Sequence, residues 1–225
     1  MPEEVKIYKL ILKSSRHEYG DVWTFVFKSE EPVPFKAGQY THLRLSSLET
    51  KRVHEFSFAS APDDNEIWFS VHVRGKGSYK QSLYKENLLS LKPGDSVELF
   101  KIKGNFLLPE EPNQHLVFIA GGLGVTPFRS MLRDIELKHL SFTVTLVHVD
   151  RGPYLYESEL SQMPIEQYRV TRTEVGSTLE NITKKFPKAV YYVVGSPNFA
   201  QDINDKLRPL GISSTQIKND DWGYW

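Results

Sequence analysis

The sequence predicts an antiparallel six-stranded β-barrel followed by a doubly wound parallel α/β domain. Two observations carry this: short β-branched or aromatic runs fill the first half, and strands alternate with helices in the second. The runs are Val5 to Leu12, Val22 to Phe27, Tyr40 to Leu45, Phe56 to Ala59, Ile67 to Val73 and Val97 to Ile102. Turn chemistry such as Asp63-Asp64-Asn65 and Lys92-Pro93-Gly94-Asp95 separates them. With one helix, Ser78 to Glu86, such a set closes into a small barrel.

The second half reads strand Leu116 to Ala120, helix Thr126 to His139, strand Phe142 to Val149 and helix Leu155 to Gln162. It continues with strand Arg169 to Arg172, helix Leu179 to Lys185, strand Val190 to Val194 and helix Asn198 to Leu207. Alternation of this kind implies a parallel sheet covered on both faces. Pro109-Glu110-Glu111-Pro112-Asn113 is the natural linker, which divides the chain into domains 1–108 and 114–225.

Composition narrows the function. Lys plus Arg and Asp plus Glu number 28 each, so no global field recommends nucleic acid or an acidic partner. The absence of cysteine forbids disulfides and a thiolate-held iron–sulfur cluster, and no metal site is expected. No apolar run is long enough to span a membrane, and Met-Pro-Glu-Glu is not a signal peptide. The expectation is a soluble cytoplasmic protein with no membrane partner.

The most informative segment is Ile119-Ala-Gly-Gly-Leu-Gly-Val-Thr-Pro-Phe128. A strand that runs through glycines into a helix brings bare backbone N–H groups to a helix N-terminus, where an anion is held. Glycines at 121, 122 and 124 miss the Gly-x-Gly-x-x-Gly spacing, and the junction alone is also what an ordinary tight turn looks like. Thr126-Pro127 at the helix start and an upstream element, His54-Glu-Phe-Ser-Phe-Ala-Ser60, decide between the two.

Together these segments resemble the ferredoxin-NADP reductase superfamily, whose members carry Arg-x-Tyr-Ser before Ala-Gly-Gly-x-Gly-x-Thr-Pro. The resemblance covers nearly the whole chain. Phe35-Lys-Ala-Gly-Gln-Tyr40 is similar to the Phe-x-x-Gly-Gln-Tyr strand entry, and Gly77-Ser78-Tyr79-Lys80 stands where a flavin phosphate loop belongs. Val194-Gly-Ser-Pro197 resembles the segment beside the nicotinamide, and Asp221-Trp-Gly-Tyr-Trp225 resembles the aromatic end.

The resemblance implies FAD as cofactor and NADH or NADPH as co-substrate. On the flavin side it implies Phe56 as a flat partner, Ser57 as hydrogen-bond donor near the flavin N5 and His54 at the pyrophosphate, with Val71, Val73, Gly77, Ser78, Tyr79 and Lys80 completing the set. His54 replaces the usual arginine and resembles the His-Pro-Phe-Thr/Ser variant of ferric reductases and NADPH oxidases; Arg52 stands nearby as an alternative charge.

On the nicotinamide side the implied residues are Gly121, Gly122, Gly124, Thr126, Pro127, Gly195, Ser196 and Pro197. Val194 stands where many members have cysteine. Asp150 and Arg151 give opposed signals for the ribose 2′ position; the acid, first after the strand, favours NADH. Trp225 or Trp222 is the ring that would stack on the flavin and leave before nicotinamide binds. Ser57, Thr126 and Trp225 are the expected catalytic residues.

The implied activity is an NAD(P)H-dependent flavoprotein reductase that delivers electrons to a separate ferredoxin, flavodoxin, cytochrome, free flavin or ferric chelate. A ferric-chelate or free-flavin reductase is the enzymatic alternative. A flavin-bound electron-transfer subunit with no turnover of its own is the non-enzymatic one.

Overall fold

A computed structural model describes residues 5–45, 53–73 and 79–221. The chain divides into two compact units, one comprising residues up to Leu108 with Ser130–Leu137, the other Pro109–Arg129 and the residues from Lys138 onward.

The first unit is a curled six-stranded antiparallel sheet. It is built from β1 (Ile7–Tyr19), β2 (Val22–Ser29), β3 (Tyr40–Leu45), β4 (Val53–Ser57), β5 (Ile67–His72) and β6 (Ser96–Lys103), in the order β4-β3-β6-β1-β2-β5. Inward positions alternate along the strands, as in β3, where Thr41, Leu43 and Leu45 are buried and Tyr40, His42 and Arg44 are half-buried. The core gathers Leu10, Leu12, Phe25, Phe27, Phe58, Phe69 and Leu99, and the Phe35 ring stacks on Phe58 at 3.8 Å. The edge strands β4 and β5 form no ladder of their own. Ala59 N–H donates to the Trp68 carbonyl at 2.9 Å and Trp68 N–H to the Ser60 hydroxyl at 3.1 Å, which draws the two edges together just past β4.

Helix α1 (Tyr79–Ser90) covers one end of this core, with Tyr84 and Leu88 buried. The Tyr84 hydroxyl donates to the Leu43 carbonyl at 3.0 Å, so a ring in the core carries no unpaired polar atom. Burial raises its phenol pKa far above the usual value. Ser130–Leu137, the part of helix α2 (Val125–Leu137) that belongs to this unit, is tied down by Ser130, whose hydroxyl donates to the Ser60 carbonyl at 2.6 Å, and by Arg133 against Asp64 at 3.2 Å.

The second unit is a five-stranded parallel sheet ordered β11-β10-β7-β8-β9, from β7 (His115–Gly121), β8 (Thr143–Val149), β9 (Glu166–Val170), β10 (Val190–Gly195) and β11 (Ile217–Asp221). Its helices are the start of α2, as far as Arg129, with α3 (Glu157–Leu160), α4 (Val175–Lys185) and α5 (Pro197–Leu207). In chain order the strands run outward from β7 through β8 and β9, and then from β10, on the other side of β7, to β11. The order therefore reverses between β7 and β10, and in such sheets ligands bind at that reversal, beyond the carboxyl ends of the strands. β7 and β10 are central and read as continuous buried apolar runs, as a sheet covered on both faces requires.

Several elements differ from expectation for local reasons. β1 continues from Leu12 to Tyr19, because bulges at Leu12/Ser14 and His17/Tyr19 break its alternation while the pairing with β2 carries on. α3 shrinks to a single turn after Tyr156, which sits in the left-handed region at φ 61°. β11, with the sequence Ile-Lys-Asn-Asp-Asp, is an additional edge strand. Among the described residues no helix is long and apolar enough to cross a membrane.

Candidate flavin and nucleotide sites

β4 is an edge strand, and all of its five side chains are half-buried, Val53 to Ser57. The register sets Thr41 beside Phe56 and Leu43 beside His54 on the core face, and Tyr40 beside Ser57 and His42 beside Glu55 on the other. His54 packs its ring 4.2 Å from Tyr84 of α1, and Phe56 lies 6.0 Å from Phe69 and 6.2 Å from Tyr84. His54 is thus held about a turn and a half of helix from the α1 N-terminus, where the expected phosphate loop ends. Ser57 lies on the opposite face of the strand from Phe56.

On the outer face His42 Nε2 stands 3.0 Å from Glu55 Oε1, and Arg44 pairs with Glu98. Among the described residues the buried His42 Nδ1 has no hydrogen-bond partner, and burial lowers the imidazole pKa. Val71 and Val73, expected against the flavin, are 4% and 2% exposed within the core of the first unit. Of the remaining expectations, Arg52, Gly77, Ser78, Trp222 and Trp225 lie outside the described residues, and of Tyr79 and Lys80 only the backbone is described, as the first turn of α1.

A flavin dinucleotide suits what is present. β4 offers an imidazole and an aromatic ring on its core face and a hydroxyl on the other, all half-buried. The first turn of α1 contains no acidic residue to oppose a phosphate.

The second unit brings its expected residues together at the sheet reversal. After β7 the chain makes a 3-10 turn over Gly122–Gly124 and enters α2, again with no acid in the first turn. Each glycine has its own physical reason. A Cβ at Gly124 would lie 2.3 Å from the Val194 carbonyl oxygen, and at Gly121 2.9 Å from the Phe199 ring. A Cβ at Gly195 would lie 2.5 Å from that same ring, so Phe199 fills the space between the ends of β7 and β10 that both glycines leave. Gly122 differs from these three: its φ is +53°, and a Cβ there would meet only Asp150 Oδ2, at 3.5 Å.

Thr126 is 2% exposed and its hydroxyl donates to the Leu123 carbonyl at 2.7 Å, so it fastens the turn to the helix. Pro127 is buried beside it. Ser196 caps α5 by accepting from Phe199 N–H at 3.3 Å, and Pro197 occupies the first helical position, where its missing N–H costs nothing. Ser196 itself is exposed, at the carboxyl end of β10.

Asp150 follows β8. Its Oδ1 accepts from Arg151 N–H at 2.7 Å, which fixes the carboxylate, and Oδ2 faces Gly122. The Arg151 side chain is exposed. Two residues of this site were not expected from the sequence. Phe199 reads as an ordinary helix residue, and His148 as one more member of an apolar strand. His148 is 3% exposed and its Nε2 lies 3.0 Å from the Gly122 carbonyl oxygen.

Residues 7–154 match the FAD-binding domain family. The chain belongs to that family. Its two-unit architecture is that of the ferredoxin-NADP reductase superfamily. A ferredoxin NADP+ reductase from Neisseria gonorrhoeae, solved with bound FAD and NADP, superposes with a TM-score of 0.81 at 20% identity, covering 97% of this chain and 99% of that one. Among family relatives, a flavohemoprotein of Bacillus subtilis is 24% identical over 94% of this chain. The reductase component DmpP of a Pseudomonas phenol 2-monooxygenase is 34% identical over 59% of it. The chain spans 58% of the first relative and 36% of the second.

Three histidines, His42, His115 and His148, give the protein an acid response. Burial lowers the pKa of His148, of His115 stacked 3.6 Å from Phe186, and of His42, so the folded protein holds them neutral below the ordinary value near 6.5. The unfolded chain then binds more protons than the folded one, and stability rises with pH in that window. It is fully present above pH 6.5 and is lost as pH falls toward the folded-state values. Thermal melts should hold a constant midpoint from pH 8 to 7 and fall steadily from pH 6.5 to 5.5, above the range where carboxylates titrate. A midpoint unchanged between pH 7 and 5.5 would contradict the buried neutral state.

Proposed function

We propose that the protein is an NAD(P)H-dependent flavin reductase, with NADH preferred, that delivers electrons to a separate acceptor. One observation carries the nicotinamide half of this reading: the glycine turn after β7, the Ser196 cap after β10 and the fixed Asp150 carboxylate converge on the reversal of the parallel sheet. Family membership supports the flavin half. Domain 1–108 is then the FAD-binding part and 114–225 the nucleotide-binding part.

FAD, held by the first unit, would supply the hydride-accepting and one-electron-donating chemistry. The residues of this chain bind and orient. Ser57 presents a hydroxyl to the flavin N5 side, His54 and the α1 N-terminus take the pyrophosphate, and Gly122 with α2 takes the coenzyme phosphates. The ring of Trp225 or Trp222 gates the flavin face. Asp150 reads the ribose hydroxyls. No side chain is required as general acid or base.

A chain without cysteine has no ligands for a cysteine-held cluster, so an acceptor of that kind would be a separate protein or domain. The flavohemoprotein, the phenol 2-monooxygenase reductase component and the ferredoxin NADP+ reductase that this chain resembles favour a haem domain, an oxygenase component or a ferredoxin as the acceptor. The substitution of His54 for the usual arginine favours a second reading, direct reduction of a ferric chelate or free flavin.

The purified protein should be yellow with FAD and bleach anaerobically on addition of NADH. Ser57→Ala should slow that bleaching about tenfold or more while FAD retention changes little, since its hydroxyl addresses the ring and not the phosphates. Stopped-flow reduction and FAD content give the two numbers. A colourless protein that takes up no FAD would sink the reading, and ferricyanide turnover separates an enzyme from a dependent subunit.

A further inference from the structure

His148 stands apart from the residues described as ligand-binding, because its whole ring is inside the protein and its one strong contact is to the turn. Nε2 lies 3.0 Å from the Gly122 carbonyl oxygen. A carbonyl only accepts, so the proton sits on Nε2 and the ring is the Nε2–H tautomer. The Tyr154 ring meets it edge-on at 5.1 Å and holds its plane, while the Tyr154 hydroxyl approaches the Asp150 carbonyl at 3.4 Å. Burial keeps the imidazole neutral against the pull of Asp150 and Glu157, with Arg169 acting in the same sense as burial. The Gly122 oxygen also accepts from Val125 N–H, so both of its lone pairs are used.

The consequence follows from the planarity of the peptide bond. The Gly122 C=O and the Leu123 N–H belong to one rigid unit and point in opposite directions. A carbonyl held toward His148 aims that N–H away from the β8 side, out of the glycine turn. Gly122, at φ +53°, is the residue whose backbone has most freedom to rotate the plane otherwise.

We infer that His148 is a positioning residue for the coenzyme phosphates: by holding the Gly122 carbonyl it fixes the orientation of the Leu123 N–H as a phosphate donor. This rests on the nicotinamide reading of the second unit. It adds to that reading a buried strand residue that touches no ligand and sets the shape of the loop that does.

The test compares two amides. The Gln side chain can put its N–H₂ near the position of Nε2, whereas Asn reaches only as far as Nδ1. NAD+ and ADP are titrated into oxidised, FAD-loaded protein well below the melting temperature, with adenosine as the phosphate-free probe. Loss of one such hydrogen bond is expected to weaken NAD+ and ADP about fivefold to tenfold in His148→Asn, with His148→Gln within about twofold of the parent. Adenosine binding and FAD content should be alike in all three. Equal affinities of the Asn and Gln variants for ADP, or an equal loss for adenosine and ADP, would overturn the inference. A parent protein that binds FAD but neither NAD+ nor ADP would overturn the nicotinamide reading itself, and this inference with it.

Discussion

Replacing Gly124 with alanine should abolish detectable NAD+ binding and lower the melting temperature by about 6–12 °C. The added Cβ would sit 2.3 Å from the Val194 oxygen and 2.8 Å from its carbonyl carbon, both backbone atoms of the central strand β10. No rotamer change relieves such a contact. Either β10 moves away from β7, or the turn lifts off the sheet and carries the start of α2 with it. Overpacking of this kind costs about 3 kcal/mol, and for a chain of this size each kcal/mol is worth about 2–4 °C. The matching control is Gly176→Ala in α4, where a Cβ meets nothing within 4 Å and helix propensity favours alanine by about 1 kcal/mol. Calorimetry with an NAD+ titration reads both variants. A Gly124→Ala protein that melts and binds like the parent would show that the turn is not seated against β10.

Asp150→Ser should raise the ratio of NADPH to NADH efficiency at least tenfold, and Arg151→Ala should lower it. The Asp150 carboxylate is fixed by Arg151 N–H and faces Gly122, so a 2′-phosphate brought to the turn meets a stationary negative charge. Arg151 is exposed and can swing toward that phosphate. Removing the repulsion, or one charged hydrogen bond, is worth about 1.5–3 kcal/mol, which is tenfold or more in the ratio. Steady-state kinetics with both coenzymes on both variants measures it. If neither ratio moves, the 2′ position is read elsewhere.

The architecture was legible in the sequence because period and punctuation agree in most elements. β3, β7, β8 and β10 carry strong apolar patterns, and the glycine run marks the junction of β7 with α2. What escaped did so for identifiable reasons. The outer part of β1 is polar and twice bulged, so it has no period to read. β11 is a polar edge strand that gains its place from β10, since all five of its residues pair with that neighbour.

At the candidate site, the sequence identifies the glycines but not why they are there. Gly121, Gly124 and Gly195 are explained by Phe199 and Val194, partners distant in the chain. His148 escaped because in Val-Thr-Leu-Val-His-Val it is one residue of a buried strand, and only the fold brings Gly122 to it. Val71 and Val73, which only the resemblance placed with the cofactor, lie buried in the core of the first unit.

The seating of one phenylalanine ring between two glycines also has a meaning for how such a protein can change over generations. Phe199 occupies volume that neither Gly121 nor Gly195 can yield while the ring remains. A side chain gained at either glycine becomes tolerable only after the ring has become smaller. A smaller ring arriving first leaves a void beneath both strand ends. The three positions are therefore sterically coupled, and the order in which they are substituted sets which intermediates pack well. Lineages that keep the ring are held to glycine at both strand ends, whatever coenzyme or acceptor selection favours.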